Sequence, residues 1–432
     1  MYYPNDFYLS FVLWTKLTPA RGQEICMNKL TVRDVDFKNK NVIIRVDFNV
    51  PLDKQLKITD DIRIQAAIPT LQAILKQKPK KVILMSHLGR PDGQIVEEMR
   101  LTPVAKRLEE LLKEKVLKLN DCIGEDVKQS IAKSPERVIL LENLRFHNEE
   151  TDNDPAFAKK LASLADIYVN DAFGTAHRAH ASTEGIAKYL PAVAGLLLEK
   201  EIQYLGQAIE DPKRPLVVIL GGAKVSDKIL LVENLLKKAN AILVGGGMAY
   251  TFLKALGKNV GNSKLEPDKV DIARKLLEKA KKANVNIELT SDFLVVQNFN
   301  APETRKIVKD IPDGWESLDI GPETRQRFKN ILSTAKTVIW NGPVGVFEVD
   351  AYAEGTKDIA QYLATLKNAT TIVGGGDSAA AVSKFGVEDK FTHISTGGGA
   401  SLELLEGKEL PGIAALTDKK PTSDKSKKVA VV

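Results

Sequence analysis

Cysteine is the rarest residue type in this chain of 432 residues, which contains only Cys26 and Cys122. Two cysteines give no disulfide framework, and these two lack the paired spacing of a zinc-binding motif. Such scarcity is typical of a protein that folds in a reducing compartment. The composition therefore argues against a disulfide-stabilised secreted domain and against a cysteine-rich metalloprotein.

Long apolar runs and a strong charge of one sign are also missing. No apolar run approaches the roughly 20 residues that a membrane-spanning helix needs. The chain has 62 lysine and arginine residues against 56 aspartate and glutamate residues, a net charge of +6 that is spread along its length. This balance is too diffuse for a surface that coats nucleic acid, but it is compatible with a small anionic substrate. We therefore expect no membrane partner and no nucleic-acid partner.

The predicted elements alternate between short β-branched strands and amphipathic helices. This pattern is typical of a parallel sheet that is covered by helices on both faces. The predicted fold class is α/β, with two doubly wound, mostly parallel, Rossmann-like domains joined by a connector helix. The predicted strands are residues 41–46, 81–86, 138–141 and 167–170, then 216–220, 241–244, 286–290, 337–340, 371–373 and 391–395; predicted helices include 62–76, 102–113 and 155–164.

The strand series pauses between its two halves, and this pause gives the domain boundaries. A predicted helix at 198–209 and a proline-containing break at 211–215 follow the pause. We therefore predict a first domain at 27–194, a connector helix and hinge at 195–212, and a second domain at 213–401.

The two ends of the chain differ in composition from the rest. Residues 1–26 are predicted to be an extension that is either disordered or a targeting segment. The acidic residues Asp6 and Glu24 are unusual in a transit peptide, which normally has few acidic residues. The Lys- and Ser-rich residues 419–432 are predicted to be a disordered tail. The expected location is the cytoplasm, and the extension leaves an organelle open.

Arginine and histidine residues follow the predicted strands of the first half. They occur in the stretches 45–51 (RVDFNVP), 86–91 (SHLGRP), 142–146 (ENLRF) and 170–180 (NDAFGTAHRAH). The carboxyl ends of parallel strands share one edge of a sheet, where ligands bind. A single arginine there is more often a surface ion-pair partner. Several arginines that converge with His87, and with Arg63 at the start of a helix, favour a site for a small polyanion.

Glycine loops follow the predicted strands of the second half, at 221–228, 245–248, 341–348, 374–378 and 396–400. Glycine lets several backbone N–H groups approach one anion, and a helix N-terminus behind the loop adds partial positive charge. The loops at 374–378 and 396–400 predict a nucleotide phosphate site, with Asp377 placed to hold the accompanying Mg²⁺. Lys224 and Lys228 are predicted to share one face of a helix that starts in the first of these loops.

Other nucleotide-binding classes fit less well. Residues 221–228 lack the G-x-x-x-x-G-K-[ST] spacing of a P-loop, which disfavours the common NTPase class. Gly374, Gly376 and Ala379 satisfy a G-x-G-x-x-A dinucleotide fingerprint. That fold requires an acid at the end of the next strand to hold a ribose, and residues 395–397 provide none. The sequence therefore argues against a dehydrogenase.

The histidine residues other than His87 give weaker signals. His177 and His180 are three residues apart, but no further cysteine or carboxylate completes a metal-ligand set. His147 and His393 have no surrounding motif, so packing or surface roles are expected for both.

Taken in order, the motifs resemble the phosphoglycerate kinase family over residues 27–416. The resemblance implies reversible phosphoryl transfer, in which ATP and 3-phosphoglycerate give ADP and 1,3-bisphosphoglycerate with Mg²⁺. It also implies that residues 402–418 return to pack on the first domain. The stretches that carry it are 45–51, 86–91, 142–146, 170–182, 221–228, 341–348, 374–379 and 395–401.

Carried over position by position, the resemblance implies a 3-phosphoglycerate site in the first half. The matching residues are Asp47, Asn49, Arg63, His87, Arg90, Arg145 and Arg178. The implied catalytic residues are Arg63 again, Lys224, which matches the lysine that follows the moving phosphoryl group, and the loop Gly397, Gly398 and Gly399, whose amides face that group.

The same comparison implies a nucleotide site in the second half. Lys228 matches the lysine on the nucleotide phosphates, Asn341 lies near the nucleotide, and Glu348 matches the acid at the ribose hydroxyls. Ser317 stands where the family often has a glycine whose backbone meets the nucleotide. The implied phosphate loop is Gly374, Gly375, Gly376, Asp377 and Ser378, with Asp377 toward the metal.

Catalysis of this kind depends on position and charge neutralisation more than on covalent chemistry. We expect each half to bind one ligand and the halves to close about the connector, which would exclude water. We expect the protein to be a monomer. We expect it to act in glycolysis or gluconeogenesis, or in carbon fixation if it is located in a plastid. The alternatives are a non-catalytic nucleotide- or phosphometabolite-binding protein of the same fold and a kinase of a different small acid.

Overall fold

The computed structural model describes residues 28–419. The predictions for residues 1–26, and for residues 420–432 of the predicted tail, fall outside this range. Across the described residues, no helix combines the length and the apolar character needed to cross a membrane.

The N-terminal half is built on a six-stranded parallel sheet. Its strands are β1 (Asn41–Arg45), β2 (Lys81–Met85), β3 (Val116–Lys118), β4 (Val138–Leu140), β5 (Ile167–Asn170) and β6 (Ala192–Ala194). Its helices are α1 (Ile62–Lys76), α2 (Thr102–Leu112), α3 (Glu125–Lys133), α4 (Asn148–Thr151) and α5 (Pro155–Ala162). The strand order is β3-β4-β2-β1-β5-β6, and the order reverses between β1 and β5. Apolar runs such as VIIR and KVILM are buried, as expected for strands covered on both faces.

A long helix with an irregular middle connects the two halves. It comprises α6 (Leu196–Glu201), a π-helical segment (Ile202–Gly206) and α7 (Gln207–Glu210). The buried carboxylate of Asp171, just after β5, accepts hydrogen bonds from the amides of Leu197 and Leu198 at 2.9 and 3.2 Å. These bonds satisfy two of the free N–H groups at the helix start, so the connector begins at the ligand-binding edge of the first sheet.

The C-terminal half contains a second parallel sheet. The strands of this half are β7 (Leu216–Leu220), β8 (Ala241–Val244), β9 (Asn286–Leu289), β10 (Phe293–Val296), β11 (Lys306–Val308), β12 (Glu316–Ile320), β13 (Thr337–Asn341), β14 (Thr370–Gly374) and β15 (His393–Ile394), of which β10, β11 and β12 lie outside the parallel sheet. Its helices are α8 (Ile229–Leu235), α9 (Gly247–Ala255), α10 (Val270–Lys282), α11 (Pro322–Leu332), α12 (Glu354–Leu363), α13 (Gly376–Lys384) and α14 (Gly399–Leu405), and α15 (Pro411–Ala414) follows. The large sheet has the order β15-β14-β13-β7-β8-β9, which reverses between β7 and β13 in the doubly wound manner. The predicted α/β class with two parallel sheets is confirmed.

A small antiparallel sheet of order β11-β10-β12 accompanies the second large sheet, and the sequence does not predict it. β11 has three residues, two of them exposed, and β12 (ESLDI) has a mixed polar pattern. Such strands have little local signal, because their stability comes from pairing with each other and with β10. They place Glu316 and Ser317 beside the second large sheet.

The last described residues contact the first half. The side-chain amide of Asn170 donates to the carbonyl of Gly412 at 2.9 Å, and the Gly412 amide donates to Ala176 at 2.8 Å. The amide of Leu30 donates to the carbonyl of Thr417 at 2.8 Å. α15 therefore lies against the loop that follows β5.

Candidate active site

A cavity of about 970 Å³ opens between the carboxyl ends of the two large sheets; it is called the interdomain cavity below. The first half lines it with the loops after β1, β2, β4 and β5 and with the start of α1. The second half lines it with one side of α13 from Gly376 to Lys384, with Glu388 and with residues 394–399. It brings together Asp47, Asn49, Arg63, His87, Arg90, Arg145, Arg178, Gly376, Gly397, Gly398 and Gly399.

Asp47 and Asn49 organise the loops of the first half. Asp47 Oδ2 accepts a hydrogen bond from Arg63 Nη1 at 2.7 Å, while the Arg63 side chain is still 36% exposed. The side-chain oxygen of Asn49 accepts from the amide of Gly89 at 2.9 Å. The first contact orients a guanidinium that remains accessible from the cavity, and the second fastens the loop after β2 to the loop after β1.

His87 is buried among arginine side chains. Arg45 Nη2 lies 3.1 Å from His87 Nδ1, and a guanidinium nitrogen can only donate, so His87 accepts through Nδ1 and carries its proton on Nε2. Burial, and then the positive charges of Arg45 and Arg145, hold the pKa of His87 well below its ordinary value. An anion in the cavity would offset those charges and make the protonated form easier to reach.

The remaining arginines of the cluster differ in exposure. Arg145 is buried; its Nη1 donates to the carbonyl of Gly89 at 2.8 Å, and its Nε has no partner among the described residues. Burial and the neighbouring Arg45 and Arg178 lower the pKa of Arg145 to about 10. Arg178 is half-buried and Arg90 is exposed. So much positive charge in one place is unfavourable without a counter-ion, which favours a polyanionic ligand.

Behind this cluster lies a buried polar network that the sequence does not predict. Arg45 is fully buried, and its Nε donates to Ser182 Oγ at 2.8 Å, which in turn donates to Glu150 Oε1 at 2.6 Å. Burial raises the pKa of Glu150. Glu150 follows Glu149 at the start of α4, where acidic residues normally face solvent, so no local signal marks it as buried. Arg45 therefore supports the cluster from behind.

His177 and His180 do not complete a metal site. His177 lines the interdomain cavity and accepts a hydrogen bond from Arg178 Nε at 3.2 Å. His180 is buried, and burial followed by the arginine charges lowers its pKa to about 4. Within residues 28–419, neither belongs to a cluster of three potential metal ligands.

A second cavity of about 510 Å³ lies in the C-terminal half. Of the predicted nucleotide-site residues, it is lined by Ser317, Glu348 and Asp377. The predicted glycine loops after β7 and β8 also line it, together with three residues that the sequence does not predict, Tyr250, Phe299 and Lys264. Aromatic and glycine surfaces next to acidic groups suit a nucleoside with its phosphates.

Six predicted site residues line neither cavity. Lys228 is buried, and its Nζ donates to the carbonyls of Gly221 and Asn341 at 2.6 and 2.8 Å. Burial lowers the pKa of Lys228 to about 8. The remaining five are Lys224, Asn341, Gly374, Gly375 and Ser378, of which Asn341 and Ser378 make buried hydrogen bonds to the carbonyl of Gly374 and the amide of Gly342.

The prediction that Lys224 and Lys228 share a helical face is wrong. Lys224 is exposed in a loop, Lys228 ends a short 3₁₀ turn, and α8 starts only at Ile229. The amide and hydroxyl of Ser226 both bond to the carboxylate of Glu266, at 3.0 and 2.6 Å. This long-range contact stabilises the turn where the sequence favours a helix.

The loops that follow β7 and β13 approach each other closely, and this explains the glycine residues in them. A Cβ atom on Gly221 would overlap the carbonyl oxygen of Pro343. The loops after the two strands therefore touch where the strand order reverses, which is where an open sheet forms its ligand-binding crevice. Gly375 has φ +92° and directly precedes α13, a conformation that a side chain would strain.

The start of α13 separates the two cavities. Gly376 lines the interdomain cavity, and its neighbour Asp377 lines the second cavity. The Asp377 carboxylate is exposed and has no hydrogen bond or ion pair with the described residues. A ligand in the second cavity that extends past this helix start therefore enters the interdomain cavity, which the arginine cluster also lines.

Ser317 lines the second cavity and makes hydrogen bonds to three neighbouring residues. Its carbonyl accepts from the Tyr250 hydroxyl at 3.0 Å, and its amide donates to Ser263 Oγ at 2.9 Å. Its hydroxyl points toward the carbonyl of Leu294 at 3.4 Å, within the small sheet. The serine side chain is thus accommodated by β10.

Comparison with known proteins agrees with the motifs and the fold. The family model for phosphoglycerate kinase matches residues 32–408. A phosphoglycerate kinase of Moorella thermoacetica is 56% identical over 396 residues, covering 91% of this chain and 100% of the relative. One of Dictyoglomus turgidum is 57% identical over 393 residues, covering 90% and 98%.

Solved structures of the same family have a similar fold. The phosphoglycerate kinase of Coxiella burnetii matches with a TM-score of 0.83 and 43% identity, and that of Pyrococcus horikoshii with a TM-score of 0.74 and 34% identity. Each match covers 90% of this chain and 98% of the solved chain.

Proposed function

We propose how the site works from the premise that the chain belongs to the phosphoglycerate kinase family. It catalyses reversible phosphoryl transfer between 1,3-bisphosphoglycerate and ADP, which gives 3-phosphoglycerate and ATP, a step of glycolysis. The enzyme is a phosphotransferase with a carboxyl group as acceptor. The alternative of a non-catalytic protein of the same fold is not supported.

The proposed arrangement of ligands is based on the position of the N-terminus of α13 between the two cavities. A nucleotide in the second cavity passes Gly376 and Asp377 with its phosphates, so its terminal phosphate emerges opposite the arginine cluster. The cluster binds 3-phosphoglycerate. Direct transfer across the interdomain cavity then needs no covalent enzyme intermediate.

On the acid side, His87, Arg90, Arg145 and Arg178 hold the phosphate of 3-phosphoglycerate in this proposal. Arg63, oriented by Asp47, holds the carboxylate that accepts the phosphoryl group. A carboxylate oxygen attacks the γ-phosphorus of ATP, and the bond from that phosphorus to the bridging oxygen of ADP breaks. No proton has to move, because both the attacking and the leaving oxygen are anionic.

On the nucleotide side, Glu348 takes the ribose hydroxyls and the amides at the start of α13 take the phosphates. The unpaired carboxylate of Asp377 suits Mg²⁺, which prefers oxygen ligands and would supply neutralising charge to the phosphate oxygens. Arg63, Lys224 and the amides of Gly397–Gly399 spread the charge of the transferring group.

Closure of the two halves completes the proposal. Lys224 is exposed and lines neither cavity, so its assigned role requires movement toward the transferring group. We assign the halves to residues 27–194 and 213–401, with the hinge at 195–212 and residues 402–418 docked on the first half. Small-angle scattering tests closure: the radius of gyration should fall only when 3-phosphoglycerate and ATP are present together. An unchanged radius with both ligands would contradict closure.

Separate titration of each ligand tests their placement. Arg178→Ala is expected to weaken 3-phosphoglycerate binding at least about tenfold and to leave ADP binding unchanged. Glu348→Gln is expected to weaken ADP binding and to leave 3-phosphoglycerate binding unchanged. The assignment fails if either variant weakens both ligands equally in calorimetry.

We further propose that the enzyme acts as a monomer in the cytoplasm. Both cavities are lined by residues of one chain, and the buried thiol of Cys122 is unpaired, as suits a reducing compartment. Light scattering on the active enzyme should give the mass of one chain, and the mass of two chains would contradict the proposal.

A further inference from the structure

We propose that Asp121, Cys122 and His147 form a binding site for a thiophilic divalent cation, with Zn²⁺ as the best-matched ion. Each residue offers one ligand atom, and these atoms all lie within 4.8 Å of one another. No other group of three such side chains is this close within residues 28–419. None of the three lines the interdomain cavity or the second cavity, so the site is separate from phosphoryl transfer.

The topology of the first sheet explains why these distant residues meet. Asp121 and Cys122 follow β3, and His147 follows the short helical turn Leu144–Phe146 after β4. β3 and β4 are parallel neighbours, so the loops at their carboxyl ends lie side by side. The amide of Glu142 donates to the carbonyl of Asp121 at 3.3 Å, which holds the two loops together.

The three side chains are oriented before any ion binds. His147 Nε2 lies 2.7 Å from Asp121 Oδ1, and the Cys122 amide donates to the same oxygen at 2.6 Å. These contacts hold the carboxylate between the imidazole and the residue that carries the thiol. The ring of Phe157 packs against His147 with centroids 5.3 Å apart, which further restricts the imidazole. The contact between His147 Nε2 and Asp121 Oδ1 joins two of the proposed ligand atoms, so it brings them together and the cation takes its place on binding.

The ligand types select the ion. Thiolate and imidazole together favour Zn²⁺ or Co²⁺, whereas Mg²⁺ and Ca²⁺ prefer oxygen ligands alone. The charges of one thiolate and one carboxylate cancel those of the cation, which matters because the Cys122 side chain is fully buried. Asp121 is exposed and His147 is half-buried, so a water molecule can complete a tetrahedral set.

Binding replaces protons with the metal. The cation forms bonds to Cys122 Sγ, His147 Nε2 and an Asp121 carboxylate oxygen. The Cys122 thiol releases its proton to solvent, and His147 binds as a neutral imidazole that keeps one proton, on Nδ1; an imidazolium first releases its second proton to solvent. No electron is transferred, so no oxidant or reductant is required. Affinity is therefore expected to rise with pH, as for other sites whose ligands must lose protons.

Titration of the full chain with Co²⁺ tests the proposal, because a cobalt–thiolate bond gives a charge-transfer absorption band. The parent protein should bind one Co²⁺ with such a band, Zn²⁺ should displace it, and Mg²⁺ should not. Cys122→Ser should abolish the band. The matched control is Cys26→Ser, which removes the other cysteine and should keep the band.

Asp121→Asn is a second variant that is expected to fold normally, because Asp121 is exposed and its replacement leaves the buried thiol of Cys122 in place. It keeps the test valid if Cys122→Ser does not fold. This variant and His147→Gln should weaken Co²⁺ binding at least about tenfold. Zn²⁺ should raise the unfolding temperature of the parent and not that of Asp121→Asn. The proposal is overturned if the parent gives no band, if the band is lost in Cys26→Ser but kept in Cys122→Ser, or if Asp121→Asn and His147→Gln bind like the parent.

Discussion

The carboxylate of Glu201 joins the connector helix to the loop that carries Gly397–Gly399. Glu201 is fully buried at the end of α6, and it accepts hydrogen bonds from the amide and the hydroxyl of Thr396 at 2.8 and 3.1 Å. Its other oxygen lies 2.7 Å from His393 Nε2, and Tyr204 stacks on the His393 ring with centroids 5.0 Å apart. The connector helix and the loop assigned to the transferring phosphoryl group are therefore joined by buried hydrogen bonds.

Replacing Glu201 with alanine should weaken both stability and turnover. The change leaves the Thr396 amide and His393 without a partner, which should cost about 1–3 kcal/mol of unfolding free energy. Because the glycine loop loses its support, kcat should fall more than the KM values change. Urea unfolding and steady-state kinetics measure both effects.

Glu199 provides the matched control on the same helix. It pairs at 3.1 Å with Arg33, whose side chain is 68% exposed, and such surface pairs contribute about 0–1 kcal/mol. Glu199→Ala should therefore leave kcat unchanged. Equal losses of kcat in the two variants would show that the contact of Glu201 with Thr396 contributes no more to turnover than the surface ion pair of Glu199.

The lowered pKa of Lys228 predicts a pH dependence of nucleotide binding. A lysine whose pKa is about 8 is charged at pH 7 and loses its charge as the pH rises through that value. ADP affinity should therefore fall about tenfold by pH 9, where about a tenth of Lys228 remains protonated. Calorimetry between pH 7 and 9 measures the profile.

Lys228→Arg keeps the positive charge across this range and should flatten the profile. Any further ionisation of the ADP phosphates above pH 7 adds negative charge, which would strengthen binding to a cationic site, so it does not produce the decline. A parent profile that stays flat to pH 9 would contradict a role for the Lys228 charge in nucleotide binding.

Ser317→Gly should change ADP binding by less than about twofold. The Ser317 hydroxyl points toward Leu294 in the small sheet, and the Ser317 carbonyl is already held by Tyr250. The backbone presented to the second cavity is therefore the same with either residue, and net hydrogen-bond contributions of this kind are small. A tenfold gain in affinity for Ser317→Gly, measured by calorimetry beside Tyr250→Phe, would show that the serine obstructs the nucleotide.

Periodicity was sufficient for the longer buried strands and much less so for strands that are short or exposed. β1, β2 and β7 are apolar runs with few alternatives, so the two parallel sheets follow from the sequence. β6 is three residues long and β11 is largely exposed. Their pairing depends on neighbours far along the chain, and local pattern does not carry that information.

The same limit applies to the site. The strand-end arginines and glycine loops have local signals, because chemistry places them where strands end. Glu150 and Glu201 carry no such signal: each is an ordinary glutamate in a helix, and its burial results from residues that pack on it from elsewhere. Lys264 and Phe299 line the second cavity only because the small antiparallel sheet brings their loops there.

A coupled assay with ATP, Mg²⁺ and 3-phosphoglycerate, in which the parent is compared with Arg63→Ala and Lys224→Ala, tests the proposed transfer site most directly. Each variant should lose at least about 100-fold in kcat, because each removes a positive charge assigned to the transferring group. Arg33→Ala and Lys258→Ala, which remove exposed charges outside both cavities, should keep parental turnover. Robust turnover by both Arg63→Ala and Lys224→Ala would contradict the proposed transfer site.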